Sequence, residues 1–145
     1  MFRHVLIPTD GSALSNAAVE KGLVFAREAG ATAVVMTVVE PFHVLSADSD
    51  QLAQTRSDYE RHAREQADRI LAEAKRRADT LGVVCETVRA DSDHPHEAII
   101  GTATRRGSDL IVMASHGRRG MSALVLGSVT VKVLTHSTIP VLVYR

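Results

Sequence analysis

The sequence has little aromatic surface and no excess charge. It contains no tryptophan, two tyrosines and three phenylalanines, so few aromatic faces are available on which nucleic-acid bases could stack. Its 17 lysine and arginine residues balance 17 aspartate and glutamate residues, which gives a formal net charge of zero. No overall positive field therefore attracts the chain to nucleic acid or to an anionic membrane. We expect neither as a partner.

Cysteine and long apolar runs are also scarce. The single cysteine, Cys85, excludes an intramolecular disulfide and a zinc site, and its apolar-leaning surroundings, VVCETV, indicate a small buried side chain. The apolar run before Pro8 is too short for the core of a signal peptide, and nowhere do about 18 apolar residues follow one another. We therefore expect one cytoplasmic domain over residues 1–145.

Short apolar runs rich in β-branched residues alternate with longer segments of helical periodicity. The runs predict strands at residues 4–8, 31–40, 83–88, 109–114 and 141–145. Helices are predicted from Ser12 to a stop at Gly30, from Gln51 to Leu81, from Pro95 to about Arg106, and over 128–137. The last segment has many β-branched residues, but it lies between two strand-like runs, so we predict a helix there.

Five short strands separated by four helical segments predict an α/β fold, because parallel strands need crossover connections. We expect a Rossmann-like, five-stranded parallel sheet in the order 3-2-1-4-5 with helices on both faces. In such a sheet ligands bind beyond the carboxyl ends of the strands where the order reverses, here between strands one and four. Those ends carry Pro8-Thr9-Asp10 and the stretch ASHGRRGMSALVLGS, residues 114–128. They are also the two turns richest in polar and glycine residues.

The standard phosphate-binding signatures are absent: there is no GxxxxGK[ST], and no GxGxxG follows the first strand. The last helix nevertheless begins at Gly127-Ser128-Val129-Thr130, where backbone N–H groups, the helix dipole and two hydroxyls suit a phosphate chain. A plain helix cap is the alternative interpretation of Gly127-Ser128. Arg118 and Arg119 either add charge opposite the phosphates or form a solvated loop tip.

Two other clusters indicate weaker possibilities. DSDHPHE, residues 91–97, contains acids and histidines, but the spacing fits no established zinc signature, so we favour a solvated loop that caps a helix. A serine with His116 and Asp10 could form a hydrolytic triad, yet the chain has no GxSxG nucleophile elbow. We therefore expect neither a zinc site nor a serine hydrolase.

Three segments resemble the universal stress protein family, and the resemblance extends over essentially the whole chain. HVLIPTDGS at the start, HGRRGMSALVLGSVT after the fourth strand and IPVLVYR at the end follow the family pattern in order and at matching distances. The ATP-binding branch of that family is marked by glycine, two residues, glycine, nine residues, and glycine followed by serine or threonine. Gly117 and Gly127-Ser128 match this motif, whereas Ala114 stands where its first glycine is expected.

The resemblance implies a fold like that of the adenine nucleotide α-hydrolases and a site for ATP, with Mg²⁺ or Mn²⁺ bound through the phosphates. It implies that Pro8, Thr9 and Asp10 line the adenosine side, that Val38 meets the adenine, that Met113, Ala114 and His116 lie along the ribose, and that Gly117, Gly127, Ser128, Val129 and Thr130 hold the phosphates. It also implies a stress-response regulator that forms a homodimer through the last strand, VLVYR, with protein partners that the sequence does not name.

Ala114 leaves alternatives open. If its φ angle is negative the extra methyl group costs little, whereas a positive φ would cost about 1 to 2 kcal/mol. A methyl group that collides with the ribose would cost more. One alternative function is a nucleotide-free stress protein that acts through dimerisation and protein partners because Ala114 has impaired the site. The other is an enzyme that activates a substrate with ATP. The missing P-loop lysine and the shortage of acid–base pairs argue against an enzyme, and at most slow ATP hydrolysis is expected.

Overall fold

A computed structural model describes residues 1–43, 49–118 and 125–145, and only the backbone of residues 49–52. In these ranges strands and helices alternate as β1 His4–Pro8, α1 Ala13–Ala29, β2 Thr32–Val39, α2 Ser49–Leu81, β3 Cys85–Asp91, α3 Pro95–Arg106, β4 Leu110–Ala114, α4 Ser128–His136 and β5 Val141–Tyr144. The strands form one parallel sheet in the order β3-β2-β1-β4-β5. The predicted fold class and strand order are confirmed.

The central strands are largely apolar because helices cover both faces of the sheet. Successive side chains of a strand point to opposite faces, so Val5 and Ile7 of β1 enter one core while Leu6 enters the other. The first core contains Leu23 of α1 together with buried residues of α2, and the second contains Ile99 of α3 with residues of α4. Helices α1 and α2 therefore cover one face, and α3 and α4 cover the other.

The helix boundaries follow local backbone chemistry. The hydroxyl of Ser12 accepts a hydrogen bond from the backbone N–H of Ser15 and caps α1, which ends at Gly30 in the left-handed conformation with φ of 65°. Helix α4 forms despite its β-branched residues because Thr130 and Val133 are buried against the rest of the molecule. Packing therefore outweighs local propensity in this short helix.

Strand β3 differs from its predicted limits of 83–88, since it begins at Cys85 and continues to Asp91. Within the described ranges it is an outer strand that pairs with β2 alone, and its alternating polar residues do not form an apolar run like those of the other strands. Cys85 itself is buried as predicted, and burial raises the pKa of its thiol. Among the described residues, no helix combines the length and the apolar character needed to cross a bilayer.

Candidate functional site

A cavity of about 520 Å³ lies beyond the carboxyl ends of β1, β2 and β4. Its lining includes every residue that was predicted for the site: Pro8, Thr9, Asp10, Val38, Met113, Ala114, His116, Gly117, Gly127, Ser128, Val129 and Thr130. The fold thus brings together residues that are far apart in the sequence. Their roles toward a ligand stay predictions.

The cavity extends across β1 between two chemically different ends. One end is formed by the loop after β4 and the start of α4, including Gly117 and Ser128. The other end is formed by residues in and after β2, including Val38, and by the segment that leads into α3, including Asp93. Because β4 and β2 lie on either side of β1, neighbouring strands about 4.8 Å apart separate the two ends by roughly 10 Å. The space is long enough for an extended ligand.

Asp10 connects the turn after β1 to the loop after β4. Its Oδ1 accepts hydrogen bonds from the Ser12 backbone N–H and the Ser15 hydroxyl, both at 2.9 Å, and its Oδ2 accepts from the Arg118 backbone N–H at 2.7 Å. Burial acts to raise the pKa of Asp10, but the hydrogen bonds from these three residues outweigh burial and hold the pKa below its usual value. The carboxylate therefore positions two loops of the site.

Gly117 and Gly127 are required by close contacts, since neither has a positive φ angle. A Cβ atom on Gly117 would overlap with Oδ2 of Asp10. A Cβ on Gly127 would lie 3.1 Å from the Cα of His116, and the N–H of Gly127 donates to the carbonyl of Ser115 at 2.7 Å. Both glycines thus allow backbone segments at one end of the cavity to approach closely.

The amino end of α4 faces the same part of the cavity. The first N–H groups of a helix have no partners within the helix, and no acidic side chain lies in the first turn of α4. This helix end can therefore donate hydrogen bonds to an anion and attract it through its dipole. The hydroxyl of Thr130 has another role, because it donates to the carbonyl of Ala114 at 3.0 Å inside the protein.

Ala114 does not strain the site. It is the last residue of β4, pairs in register with Tyr144 of β5 and is 7% exposed. No non-glycine residue in the described ranges has a positive φ angle. The methyl group of Ala114 therefore costs little backbone strain. Alanine at the first glycine position of the motif leaves the strand in ordinary extended geometry.

The cavity also includes residues that were not assigned to it from the sequence: Ser15, Met36, Glu40, Asp93, Pro95, Ile99 and Lys132. Helical periodicity could have identified Lys132, which lies four positions after Ser128 and hence on the same side of α4. The strand order could have identified Pro95, because it brings the start of α3 to the edge of the sheet where the cavity opens.

Arg118 lines the cavity, but its guanidinium also reaches α2. With the Gln66 amide oriented so that both of its polar atoms are satisfied, its oxygen accepts from the Arg118 guanidinium at 2.5 and 2.6 Å. Arg118 therefore combines a place on the cavity wall with a contact to α2, and a role for its charge opposite the phosphates stays a prediction. Arg119 lies outside the described residues.

The serine, histidine and aspartate of the triad candidate and the DSDHPHE segment all lie within the described residues. The hydroxyl of Ser115 lies 3.2 Å from Nδ1 of His116, but the Asp10 carboxylate is bonded to Ser12, Ser15 and Arg118. Within the ranges that the structure describes, no three histidine, cysteine, aspartate or glutamate side chains form a group suited to a metal ion.

Comparisons with known proteins agree with this fold. The sequence profile described as Universal stress protein family matches residues 1–145. The universal stress protein YxiE of Bacillus subtilis is 31% identical over 149 residues, which cover 100% of both chains.

The solved structure of the hypothetical protein MJ0577 superposes with a TM-score of 0.81 at 25% identity and covers 99% of this chain and 95% of that one. A universal stress protein solved in complex with cAMP has a TM-score of 0.72 at 24% identity, with 99% and 97% coverage. With the profile matched from the first residue to the last and a full-length relative above 30% identity, the chain belongs to the universal stress protein family.

Proposed function

We propose that this protein binds ATP in the cavity between β1 and β4 and acts in the cytoplasm as a stress-response regulator, through nucleotide-dependent conformation or partner contact. The observation that carries the proposal is the lining of the cavity, in which the whole predicted site meets the amino end of α4. The complex of another universal stress protein with cAMP is consistent with the proposal. At 24% identity that complex shows a shared fold, and the support for ATP binding comes from the residues of this chain.

The proposed orientation follows from the chemistry of the two ends. The phosphates would lie at Gly117, Gly127 and Ser128, beside the N–H groups of α4. Lys132 adds positive charge there, because a helical side chain leans toward the amino end of its helix. None of the ion pairs of the described residues involves Lys132. The base would pack on the apolar side chain of Val38, which is only partly buried.

The residues present fit a divalent cation that is bound through the nucleotide. Both oxygens of Asp10 already accept hydrogen bonds from the protein, and the described residues form no other carboxylate cluster at the phosphate end. Mg²⁺ or Mn²⁺ would therefore neutralise phosphate charge with water in its remaining positions. The Asp10 carboxylate already holds three protein donors that position the two loops, so we expect binding with at most slow hydrolysis.

Binding of ATP is the first expected result. The purified protein should release an adenine nucleotide on denaturation, or its nucleotide-free form should bind ATP with Mg²⁺ in isothermal titration calorimetry. We expect the Ala114→Gly variant to bind equally well or more tightly, since the backbone of Ala114 is already extended and a methyl group is removed from the cavity wall. If both proteins release no nucleotide and show no heat of binding, the nucleotide-free alternative is favoured.

We further propose a homodimer formed through β5, because the two outer strands of the sheet differ in character. Strand β3 exposes charged side chains, including Glu86 and Asp91, and charges on an open edge oppose pairing with another strand. Strand β5 is the apolar sequence VLVY, and Leu142 is 42% exposed. A second copy of β5 would pair the free backbone groups of this edge.

Val143→Pro should convert the dimer to a monomer. The carbonyls of Pro140 and Tyr144 accept hydrogen bonds from β4, so the alternate residue Val143 directs its N–H toward the open edge. Proline there removes a donor to the partner and leaves the β4–β5 bonds in place.

The matched control is Thr87→Pro. The N–H of Thr87 faces outward on β3, because Val84 and Ser92 are residues whose backbone groups bond to β2. Sedimentation velocity should show a monomer for Val143→Pro and a dimer for Thr87→Pro, and a persistent Val143→Pro dimer would contradict the proposed interface.

A further inference from the structure

Asp93 lies at the end of the cavity away from α4, in the short connection between β3 and α3. The connection is fixed on both sides of Asp93. The backbone N–H of Ser92 donates to the carbonyl of Val39 at 3.0 Å, and the N–H of His94 donates to the hydroxyl of Ser92 at 3.0 Å. The residue before Asp93 is therefore attached to the end of β2.

The Asp93 side chain has a partner from a different loop. Nε2 of His43, which follows β2, lies 2.8 Å from Oδ1 of Asp93. The pair connects the segments after β2 and β3 where the cavity opens, and the Asp93 side chain is 48% exposed there. Glu40 contributes a second carboxylate to the same end. This end of the cavity consequently presents hydrogen-bond acceptors.

A carboxylate distinguishes purine bases by the group at position 6. An ionised carboxylate accepts hydrogen bonds on two oxygens and donates none. With His43 at Oδ1, acceptor capacity remains on Oδ2 of Asp93. An exocyclic amino group can donate to it, whereas a carbonyl oxygen would present lone pairs to another acceptor.

We propose that Asp93, positioned by His43, makes the site select a 6-amino purine over a 6-oxo purine. This inference rests on the proposed function, in which the phosphates occupy the α4 end and the base therefore lies toward β2 and β3. Val38 supplies apolar surface for the base, and Asp93 supplies the contact that depends on the identity of the base.

Titration of the nucleotide-free protein with ATP and with inosine triphosphate tests the selection, because these ligands share their ribose and phosphates. The wild-type protein should prefer ATP. In Asp93→Asn the new amide can donate to a 6-oxo group, so the ratio of the two affinities should fall by about three- to tenfold, the size of one hydrogen bond. The His43→Ala variant should lower the ratio less, since it removes the positioning contact and keeps the carboxylate.

Asp91→Asn is the matched control. It removes the same charge nearby, but Asp91 ends β3, is exposed and does not line the cavity, so the preference for ATP should be retained. Thermal melting should show that all variants fold. If Asp93→Asn prefers ATP over inosine triphosphate as strongly as the wild-type protein does, this inference is overturned. The proposal that the protein binds ATP would still stand. If the wild-type protein binds neither nucleotide, the proposed function itself fails.

Discussion

Gly117→Ala should weaken ATP binding by more than about tenfold, because the glycine allows the loop after β4 to lie against Asp10. The added Cβ would overlap with Oδ2 of Asp10, and that oxygen also accepts the Arg118 backbone N–H at 2.7 Å. The carboxylate and the loop cannot both keep their positions when the methyl group is present. Either movement alters the phosphate end of the cavity.

The same substitution should cost about 1 to 3 kcal/mol of stability, since a hydrogen bond to a charged acceptor is lost or distorted. Urea unfolding measures this change, and calorimetry measures ATP affinity. Gly101→Ala is the control: the same methyl group is added within α3, where the close neighbour is the mobile end of the Arg105 side chain. Alanine also favours a helix over glycine, so this variant should keep both stability and affinity. Wild-type affinity in Gly117→Ala would show that the contact with Asp10 is not needed for binding.

Much of the fold can be predicted from the sequence, because the strongest patterns arise from the most buried elements. Strand β4 is apolar throughout, and β1 is apolar after His4, since helices cover both of their faces. Gly30 and Gly107 end helices in the left-handed conformation that glycine adopts most readily. Strand β3 is less predictable because it lies at an edge, where polar residues can pair with one neighbour and face solvent.

The site is predictable where it follows the ends of strands and less so where it depends on side-chain reach. Pro8 and Met113 follow from the rule that ligands bind at the carboxyl edge where the strand order reverses. Asp93 and Lys132 enter the cavity from a loop and from the second turn of α4, and their positions depend on how α3 and α4 pack. The use of Asp10 as a bridge between loops also requires three dimensions, because Arg118 is distant in sequence.

Asp10→Asn should reduce both stability and ATP affinity, since the aspartate accepts hydrogen bonds on each of its oxygens. An asparagine has one acceptor oxygen, and its amide nitrogen would face the backbone N–H of either Ser12 or Arg118. An opposed pair of donors in this half-buried position should cost about 1 to 3 kcal/mol. The loop after β4 would lose its anchor, so we expect ATP affinity to fall by about tenfold or more.

The pH dependence of stability gives this prediction a second measurement. The pKa of Asp10 lies below its ordinary value of 3.8 in the folded protein, so the contribution of its carboxylate is complete above that ordinary value and disappears as pH falls through the lower, folded pKa. In urea unfolding, the difference in stability between wild type and Asp10→Asn should therefore be constant from pH 7 to about 5 and narrow below about pH 4.

Asp109→Asn separates loss of stability from loss of the site. Asp109 accepts hydrogen bonds from the backbone N–H groups of Arg3 and His4 at 2.9 and 3.0 Å, at the amino ends of the strands and away from the cavity. Burial acts to raise the pKa of Asp109 and these hydrogen bonds lower it, with a net shift below its usual value as for Asp10. This variant should lose stability while its ATP affinity is retained, whereas Asp10→Asn should lose both. If both variants kept the ATP affinity of the wild-type protein, Asp10 would stabilise the fold without positioning the site.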